Sequence, residues 1–284
     1  MSKIGTYSAG FGFIAIILLS FLLLGGLHDS RPPDNISPDI QSTTTGPQVE
    51  DTPDIGVLLN ANEKFVYNVK YSFFTLGKIY VEILGDSLYR GRKTYHLKTS
   101  IESNPSIPFM GREINQYNSL MFVADSTPRT AVFWTDNVDE KIYNETRYVF
   151  DRDSGRVYTF EKESARDTLE LEEPASSGHM LFYFARIFAG SPQPYRIPIY
   201  IDHEKGYLRA ENSKKMDTRE YEAFAKPIKT YLTTGHADVN GPFGFRGDFK
   251  AWFAADPLRI PVEAHVKVWL GNVKVRLIKY ERGR

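Results

Sequence analysis

The sequence predicts a mainly β protein, built as a large antiparallel, strongly curved sheet or an open barrel or sandwich. One short helix, at about residues 178–190, is expected to pack on it. Three observations carry this prediction. Apolar and polar residues alternate through most of the chain after residue 57, turn-forming residues recur between the alternating runs, and one segment replaces the alternation with an apolar run. Alternation places one face of a strand on a core, and short connections favour a meander over crossover helices.

An apolar segment precedes the predicted sheet. Gly10 to Leu27 contains no charged residue, and its length lies between that of a signal-peptide core and that of a spanning helix. The segment has no clear small-residue cleavage site, and no cysteine lies near Gly26 for lipid attachment. We therefore predict that residues 1–27 are an uncleaved signal anchor, with a cleaved signal peptide as the alternative. Lys3 on the short flank favours an N-terminus inside the cytoplasm.

Residues 28–55 are predicted to be a disordered linker. They contain five prolines and the polar run Ser42 to Thr45, and their apolar content is too low to offset the entropy of ordering. Such a segment forms a semi-extended tether between a membrane anchor and a folded domain. Residues 56–284 are then predicted to form one β-rich domain.

The first predicted hairpin shows the alternation most clearly. Phe65, Tyr67, Val69, Tyr71 and Phe73 are predicted to face the core, with Thr75-Leu76-Gly77 as the turn and Ile79, Val81 and Ile83 on the return strand. Asp153-Ser154-Gly155 and Gly271-Asn272 are typical of further hairpin turns. The other predicted strands are Tyr95–Glu102, Gln116–Ala124, Thr130–Thr135, Lys141–Asp151, Arg156–Glu161, Arg166–Glu172, Tyr195–Ile201, Glu204–Glu211, Tyr221–Phe224, Lys229–Thr234, Phe245–Phe253, Val262–Leu270 and Asn272–Tyr280.

The predicted helix carries the most informative single residue. Ser176 or Ser177 is expected to cap its start, and Gly190 to end it. One stripe contains Met180, Phe184, Ile187 and Phe188. Arg186 lies within this apolar segment, so it must reach solvent, pair internally or line a cavity. Pairing with a sheet carboxylate or a backbone carbonyl is expected. The sharper hypothesis is that Arg186, together with Tyr183, contacts the anionic headgroup of a lipid-like ligand.

Two stretches carry a family resemblance. Asn62 to Tyr71 with Leu76 to Val81, and Phe249 to Val262, resemble the opening hairpin and the closing strand pair of the DUF3108 family of uncharacterised bacterial envelope proteins. The resemblance implies a secreted or periplasmic β-rich domain of unknown function and carries over no catalytic residue. The closing stretch also has a direct physical explanation, because Asp256-Pro257 forms a turn and Arg259 is placed to pair with Asp256 across it.

Composition and motifs exclude several functions. Lys+Arg and Asp+Glu are both 35, and this zero net charge argues against a nucleic-acid binder. The chain has no cysteine, which rules out disulfides, thiolate metal sites and cysteine nucleophiles. Its six histidines form no metal-binding pair, and Asp202-His203-Glu204 is better explained as a solvated turn. We therefore predict no cofactor, no metal site and no catalytic residue, and leave open whether the protein is an enzyme.

The leading functional hypothesis is a non-enzymatic cell-envelope protein. It would be anchored in the inner membrane with a periplasmic domain, or exported if the leader is cleaved, and would bind a hydrophobic or lipid-like ligand or act in envelope assembly. One alternative is a hydrolase of envelope polymers whose site, drawn from Asp202, His203 or Arg186, forms only in three dimensions. Another is a structural partner in an envelope complex, which would present an apolar patch or an unpaired strand edge.

Overall fold

The computed structural model describes residues 54–59, 62–107, 111–241, 245–268 and 271–283. The predicted anchor, residues 1–27, and nearly all of the predicted linker lie outside these ranges. Within the described ranges, every helix is too short or too polar to cross a bilayer.

The described residues form two short helices and fifteen strands. The helices are α1 (Ile55–Leu59) and α2 (Leu181–Phe188), and a 3-10 turn (Gly178–Met180) leads into α2. The strands are β1 (Glu63–Tyr71), β2 (Phe74–Tyr89), β3 (Arg92–Ser103), β4 (Ile114–Ala124), β5 (Thr127–Asn137), β6 (Thr146–Asp151), β7 (Arg156–Glu161), β8 (Ser164–Glu170), β9 (Ser176–Ser177), β10 (Tyr195–Ile201), β11 (Glu204–Arg219), β12 (Ile228–Gly241), β13 (Phe245–Ala254), β14 (Pro261–Val268) and β15 (Gly271–Arg282).

All fifteen described strands belong to one sheet. Its order is β8-β7-β6-β5-β4-β3-β2-β1-β15-β14-β13-β12-β11-β10-β9, so neighbours in the sheet are neighbours in the chain except where β1 meets β15. That pair is antiparallel and places Phe65 opposite Tyr280. The described pairs are antiparallel apart from the short β9–β10 pair, which is parallel. The predicted mainly β meander in one large, open, curved sheet is confirmed.

The curvature brings one end of the sheet against its other half. Thr130 on β5 donates its backbone N–H to the carbonyl of Ala175, which precedes β9, and its hydroxyl accepts from the Ser177 N–H at 3.0 Å. The hydroxyls of Ser119 on β4 and Ser177 lie 2.8 Å apart. Strands β6 to β8 continue past this contact and cover a second small core with Tyr148 and Tyr200.

The main core lies where α2 packs against the sheet. The predicted apolar stripe is confirmed, because Met180 in the 3-10 turn and Phe184, Ile187 and Phe188 in α2 are all buried. Strand residues from both halves of the sheet join them in one cluster, as do Leu58 and Leu59 of α1. Helix α1 begins at Ile55, the last residue of the predicted linker.

The first hairpin turn differs from the prediction. Tyr71 pairs with Phe74, so the turn is Ser72-Phe73, and Thr75-Leu76-Gly77 lies within β2. Phe73 is therefore 81% exposed at the tip and does not face the core. Gly77 serves close packing: a Cβ there would lie 2.1 Å from the carbonyl oxygen of Glu102 on β3. A missing Cβ allows both a turn and a close backbone approach, and the sequence pattern could not separate them.

Three other predicted boundaries also shift. Val268 pairs with Gly271, so Gly271-Asn272 opens β15 instead of forming the turn. The segment Tyr221–Phe224 is not a strand but a turn, closed by a hydrogen bond from the Phe224 N–H to the Tyr221 carbonyl. Its apolar residues nevertheless pack on the main core, with Tyr221 buried and Ala223 and Phe224 partly buried. Lys141–Asp151 forms a strand only from Thr146. The turn at Asp153-Ser154-Gly155 is confirmed and joins β6 to β7.

The start of the helix is also corrected. Ser176 and Ser177 pair with Ile199 and Tyr200 of β10, so neither serine caps α2. Their hydroxyls are used inside the sheet, and the chain enters α2 through the 3-10 turn. The predicted end is confirmed: Gly190 follows the helix with φ +82°, a conformation that favours glycine.

Candidate functional site

Arg186 pairs with Glu63 in the interior. Its Nη1 donates to Glu63 Oε2 at 2.7 Å and its Nη2 to Glu63 Oε1 at 3.1 Å, a two-pronged geometry matched to the planar guanidinium. Both side chains are 0% exposed. Strand β1 supplies Glu63 and α2 supplies Arg186, so the pair joins the helix to the centre of the sheet. The expected pairing of Arg186 with a sheet carboxylate is what the geometry gives.

Two tyrosines complete the coordination of the Glu63 carboxylate. Tyr280 on β15 donates to Oε1 at 2.7 Å, and Tyr183 on α2 donates to Oε2 at 3.3 Å. The Arg186 guanidinium carbon lies 4.9 Å from the centre of the Tyr183 ring and 5.5 Å from that of Phe65. We call these four residues (Glu63, Tyr183, Arg186 and Tyr280) the buried charge cluster.

The cluster also holds the turn between β13 and β14. Arg186 Nε and Nη2 donate to the Leu258 carbonyl at 3.1 and 2.8 Å. The Asp256 carboxylate accepts from the N–H groups of Leu258 and Arg259, both at 2.9 Å. The predicted Arg259–Asp256 contact is made by the Arg259 guanidinium with the Asp256 main-chain carbonyl. The Asp256 carboxylate instead accepts hydrogen bonds from the two N–H groups within its own turn, which need an acceptor.

Burial changes the titration of the cluster. It raises the pKa of Tyr183 and of Tyr280 well above the ordinary phenol value, and Glu63 raises both further. Tyr67 lies beside the cluster and donates to the Pro261 carbonyl at 2.9 Å, and burial raises its pKa as well. Burial alone would lower the pKa of Arg186, but Tyr183 and Glu63 raise it above the ordinary value. Arg186 is therefore a cation and the phenols of Tyr183, Tyr280 and Tyr67 are neutral at physiological pH.

Chemically, this arrangement is suited to holding the fold together. Both carboxylate oxygens and all three guanidinium nitrogens have protein partners. Contact of Arg186 and Tyr183 with a ligand remains a prediction, and a headgroup reaching Arg186 would have to displace Glu63. Sequence reasoning named Arg186 and Tyr183 but missed Glu63 and Tyr280. The signal for Glu63 was present, since it shares the inward parity of Phe65 and Tyr67 on β1.

A second polar cluster lies beside a surface cleft. Arg219 donates to Glu263 at 2.8 Å and to the Tyr221 hydroxyl at 3.0 Å, and a His265 ring nitrogen lies 2.6 Å from Glu263. Burial alone would raise the pKa of Glu263, but Arg219 and His265 hold it below the ordinary value. The adjoining cleft, of about 440 Å³, is bordered by Tyr221 and Arg276. Its lining mixes both charge signs, so it has no evident preference for one ligand.

The residues of the hydrolase hypothesis are held in separate contacts. Asp202 and His203 form the turn between β10 and β11, with φ values of 52° and 58°. His203 donates its N–H to the Tyr148 hydroxyl, and its Nδ1 lies 3.0 Å from the Thr159 hydroxyl. Arg186 contacts Glu63 and Leu258 instead. No group of three or more His, Asp or Glu side chains in the described ranges is arranged to hold a metal ion.

One end of the sheet exposes aromatic side chains. Phe73 and Phe74 at the β1–β2 turn are 81% and 44% exposed, and their ring centres lie 4.1 Å apart. Single exposed apolar side chains are ordinary on soluble surfaces, but these two exposed rings are adjacent to each other. Sequence reasoning assigned Phe73 to the core because it continues the alternation of β1, although it lies two residues beyond the end of that strand at Tyr71.

Comparison with known proteins agrees with the class that the geometry defines, an open curved-sheet domain with a helix packed into it. The family model "Protein of unknown function (DUF3108)" matches residues 66–278, and the chain belongs to this family. Among proteins with curated descriptions, none matches.

The solved structures that match this chain share little sequence with it. A β-barrel-like protein with a DUF1849 domain from Brucella abortus is 10% identical at a TM-score of 0.52, covering 79% of this chain and 98% of its own. A putative exported protein with a YmcC-like fold from Bacteroides fragilis is 9% identical, with a TM-score of 0.37 and coverage of 78% and 96%. A hypothetical protein from Chlamydia trachomatis is 9% identical, with a TM-score of 0.31 and coverage of 78% and 87%. The first of these supports the fold alone.

Proposed function

We propose that this protein is a non-enzymatic component of the bacterial cell envelope. Residues 1–27 anchor it in the inner membrane, residues 28–55 form a tether, and the β-sheet domain lies in the periplasm. There the domain binds a hydrophobic or lipid-like partner through its surface. The apolar segment Gly10 to Leu27 supports the anchor, since no charged residue interrupts it.

The exposed pair Phe73 and Phe74 is the observation that carries the binding role. The two adjacent phenyl rings at this hairpin tip are exposed to water. A partner that removes these rings from water gains the hydrophobic free energy of their area. The buried charge cluster supports a surface site indirectly, because its polar atoms are already used within the fold.

Photo-crosslinking in living cells tests the binding role. We would introduce p-benzoylphenylalanine at position 73 of the full-length chain and, as a matched control, at position 88. Leu88 is 78% exposed and lies near the far end of β2. We expect ultraviolet light to add a lipid-sized mass at position 73 and not at position 88. No adduct at position 73, or equal adducts at both positions, would contradict a binding role for this end of the sheet.

A further inference from the structure

The hairpin tip combines aromatic rings with unpaired cations. Lys70 on β1 is directly opposite Lys274 on β15, and both are exposed. Like charges directly opposite each other on neighbouring strands destabilise a sheet. Within the described residues neither ammonium group has an ion-pair partner. An unrelieved repulsion beside exposed Phe73 and Phe74 favours a ligand that is both anionic and apolar.

The surface of an anionic lipid bilayer is both anionic and apolar, and the two properties lie close enough together for one hairpin tip to contact both. Phenyl rings enter the boundary between headgroups and acyl chains, and lysine stems extend so that their ammonium groups stay among the phosphates. Each lysine near an anionic surface contributes a favourable electrostatic term that salt weakens. An apolar groove on a partner protein would accommodate the two rings, but it would not account for the two facing lysines beside them.

The position of the tip in the fold determines which membrane it can reach. Strand β1 runs from Glu63, next to α1 and the predicted tether, to the tip, so the tip lies at the opposite end of the strand from where the chain enters. At about 3.3 Å per residue, β1 spans about 30 Å. The predicted tether of residues 28–55 spans up to about 85 Å at about 3.1 Å per residue. The domain can therefore turn its tip towards its own membrane, where tethering keeps the effective concentration high.

We propose that the Phe73–Phe74 tip docks on the anionic surface of the membrane that holds the N-terminal anchor, with Lys70 and Lys274 facing lipid phosphates. This inference rests on the proposed function, because it takes the anchor and the tether as given. It adds the identity of the apolar partner and the orientation of the domain.

A single fluorescent label on the full-length chain tests the docking. The chain has no cysteine, so Phe73→Cys and the control Leu88→Cys each accept one environment-sensitive dye. The labelled proteins are reconstituted into liposomes of mixed phosphatidylglycerol and phosphatidylcholine, with and without lipids that carry a spin-label quencher near the headgroup. We expect the dye at position 73 to shift to the blue and to be quenched, and the dye at position 88 to keep its solution spectrum.

Charge variants provide the second measurement. Lys70→Gln and Lys274→Gln change exposed side chains and leave the core intact. Each should reduce the ratio of docked to undocked tip by about fivefold on anionic liposomes, which corresponds to about 1 kcal/mol per lysine. Neither should change that ratio on liposomes of phosphatidylcholine alone.

The remaining outcomes separate the two proposals. A solution-like spectrum at position 73 in liposomes that carry the protein overturns the docking and leaves the anchor standing. A blue shift without quenching by the labelled lipids assigns the tip to a protein contact, including a second copy of the chain, and also overturns the docking. Failure of the chain to float with the liposomes overturns the anchor itself, and the docking with it.

Discussion

Arg186 and Glu63, 123 positions apart in the chain, form a two-pronged ion pair with neither side chain exposed. Glu63 belongs to the strand that joins the two halves of the sheet, and Arg186 to the helix packed against it. The pair therefore links sheet, helix and, through the Leu258 carbonyl, the turn between β13 and β14.

Removing one charge of this pair should destabilise the fold strongly. Glu63→Gln leaves the Arg186 cation buried without a counter-ion, and we expect a loss of about 3–5 kcal/mol in the free energy of unfolding. Chemical denaturation measures it. The exposed pair Lys93–Asp86 is the control, and Lys93→Met should leave the denaturation midpoint within error. An unchanged midpoint for Glu63→Gln would show that the pair does not hold the fold.

The two tyrosines on Glu63 should contribute unequally. Tyr280 donates to the carboxylate at 2.7 Å and Tyr183 at 3.3 Å, so the first bond is the stronger. We expect Tyr280→Phe to cost about 1.5–3 kcal/mol, the range for a hydrogen bond to a charged group, and Tyr183→Phe to cost less. The same denaturation experiment ranks them, and the opposite order would contradict the described geometry.

Gly77 should be intolerant of a methyl group. Its Cβ would lie 2.1 Å from the Glu102 carbonyl, so Gly77→Ala must push β2 and β3 apart, and we expect a cost of about 1–3 kcal/mol. A Cβ added at Gly111 would have no atom within 4 Å, so Gly111→Ala is the matched control. Equal thermal midpoints for Gly77→Ala and Gly111→Ala would refute the close approach.

Alkaline pH should unfold the protein through its buried tyrosines. Burial raises the pKa of Tyr117 to about 12 and raises those of Tyr67 and Tyr183 well above the usual phenol value. The folded state therefore binds more protons than the unfolded chain above about pH 10, so stability is full below that pH and falls as pH rises through the folded pKa values. Absorbance at an ionised-phenol wavelength follows the 17 tyrosines.

In concentrated denaturant all the phenols should titrate near their ordinary pKa. In the native protein a group of them should ionise at higher pH, together with loss of the folded signal. Superimposable titrations in the two solvents would contradict the burial of these tyrosines in the folded protein.

The sequence predicted the type of most elements because period-two alternation follows directly from burying one face of a strand. It also located α2, since an apolar run between a serine pair and Gly190 does not fit a strand. It could not predict that β1 pairs with β15, because nothing local specifies a partner more than 200 positions away. The first hairpin turn was mispredicted for a related reason. Gly77 lacks a side chain because the neighbouring strand β3 approaches it closely, and only the fold shows which strand is its neighbour.

The sequence predicted two of the four residues of the buried charge cluster, Tyr183 and Arg186. Arg186 was conspicuous because a charged residue in an apolar helix needs a partner. Glu63 was not, since a glutamate near a strand end is ordinarily solvated. Phe73 was assigned to the core by parity, and its exposure became visible only once the turn at Ser72 was placed.

Membrane topology tests the central claim, that a cytoplasmic N-terminus and an anchor hold this domain outside the cytoplasm. Ser164→Cys places a thiol on the exposed strand β8, and Ser2→Cys places one on the short flank before the apolar segment Gly10 to Leu27. Spheroplasts are treated with a membrane-impermeant maleimide before and after permeabilisation, with the cysteine-free parent chain as the blank. We predict that the thiol at position 164 reacts in intact spheroplasts and that the thiol at position 2 reacts only after permeabilisation. Protection of position 164 until the membrane is opened would contradict the account.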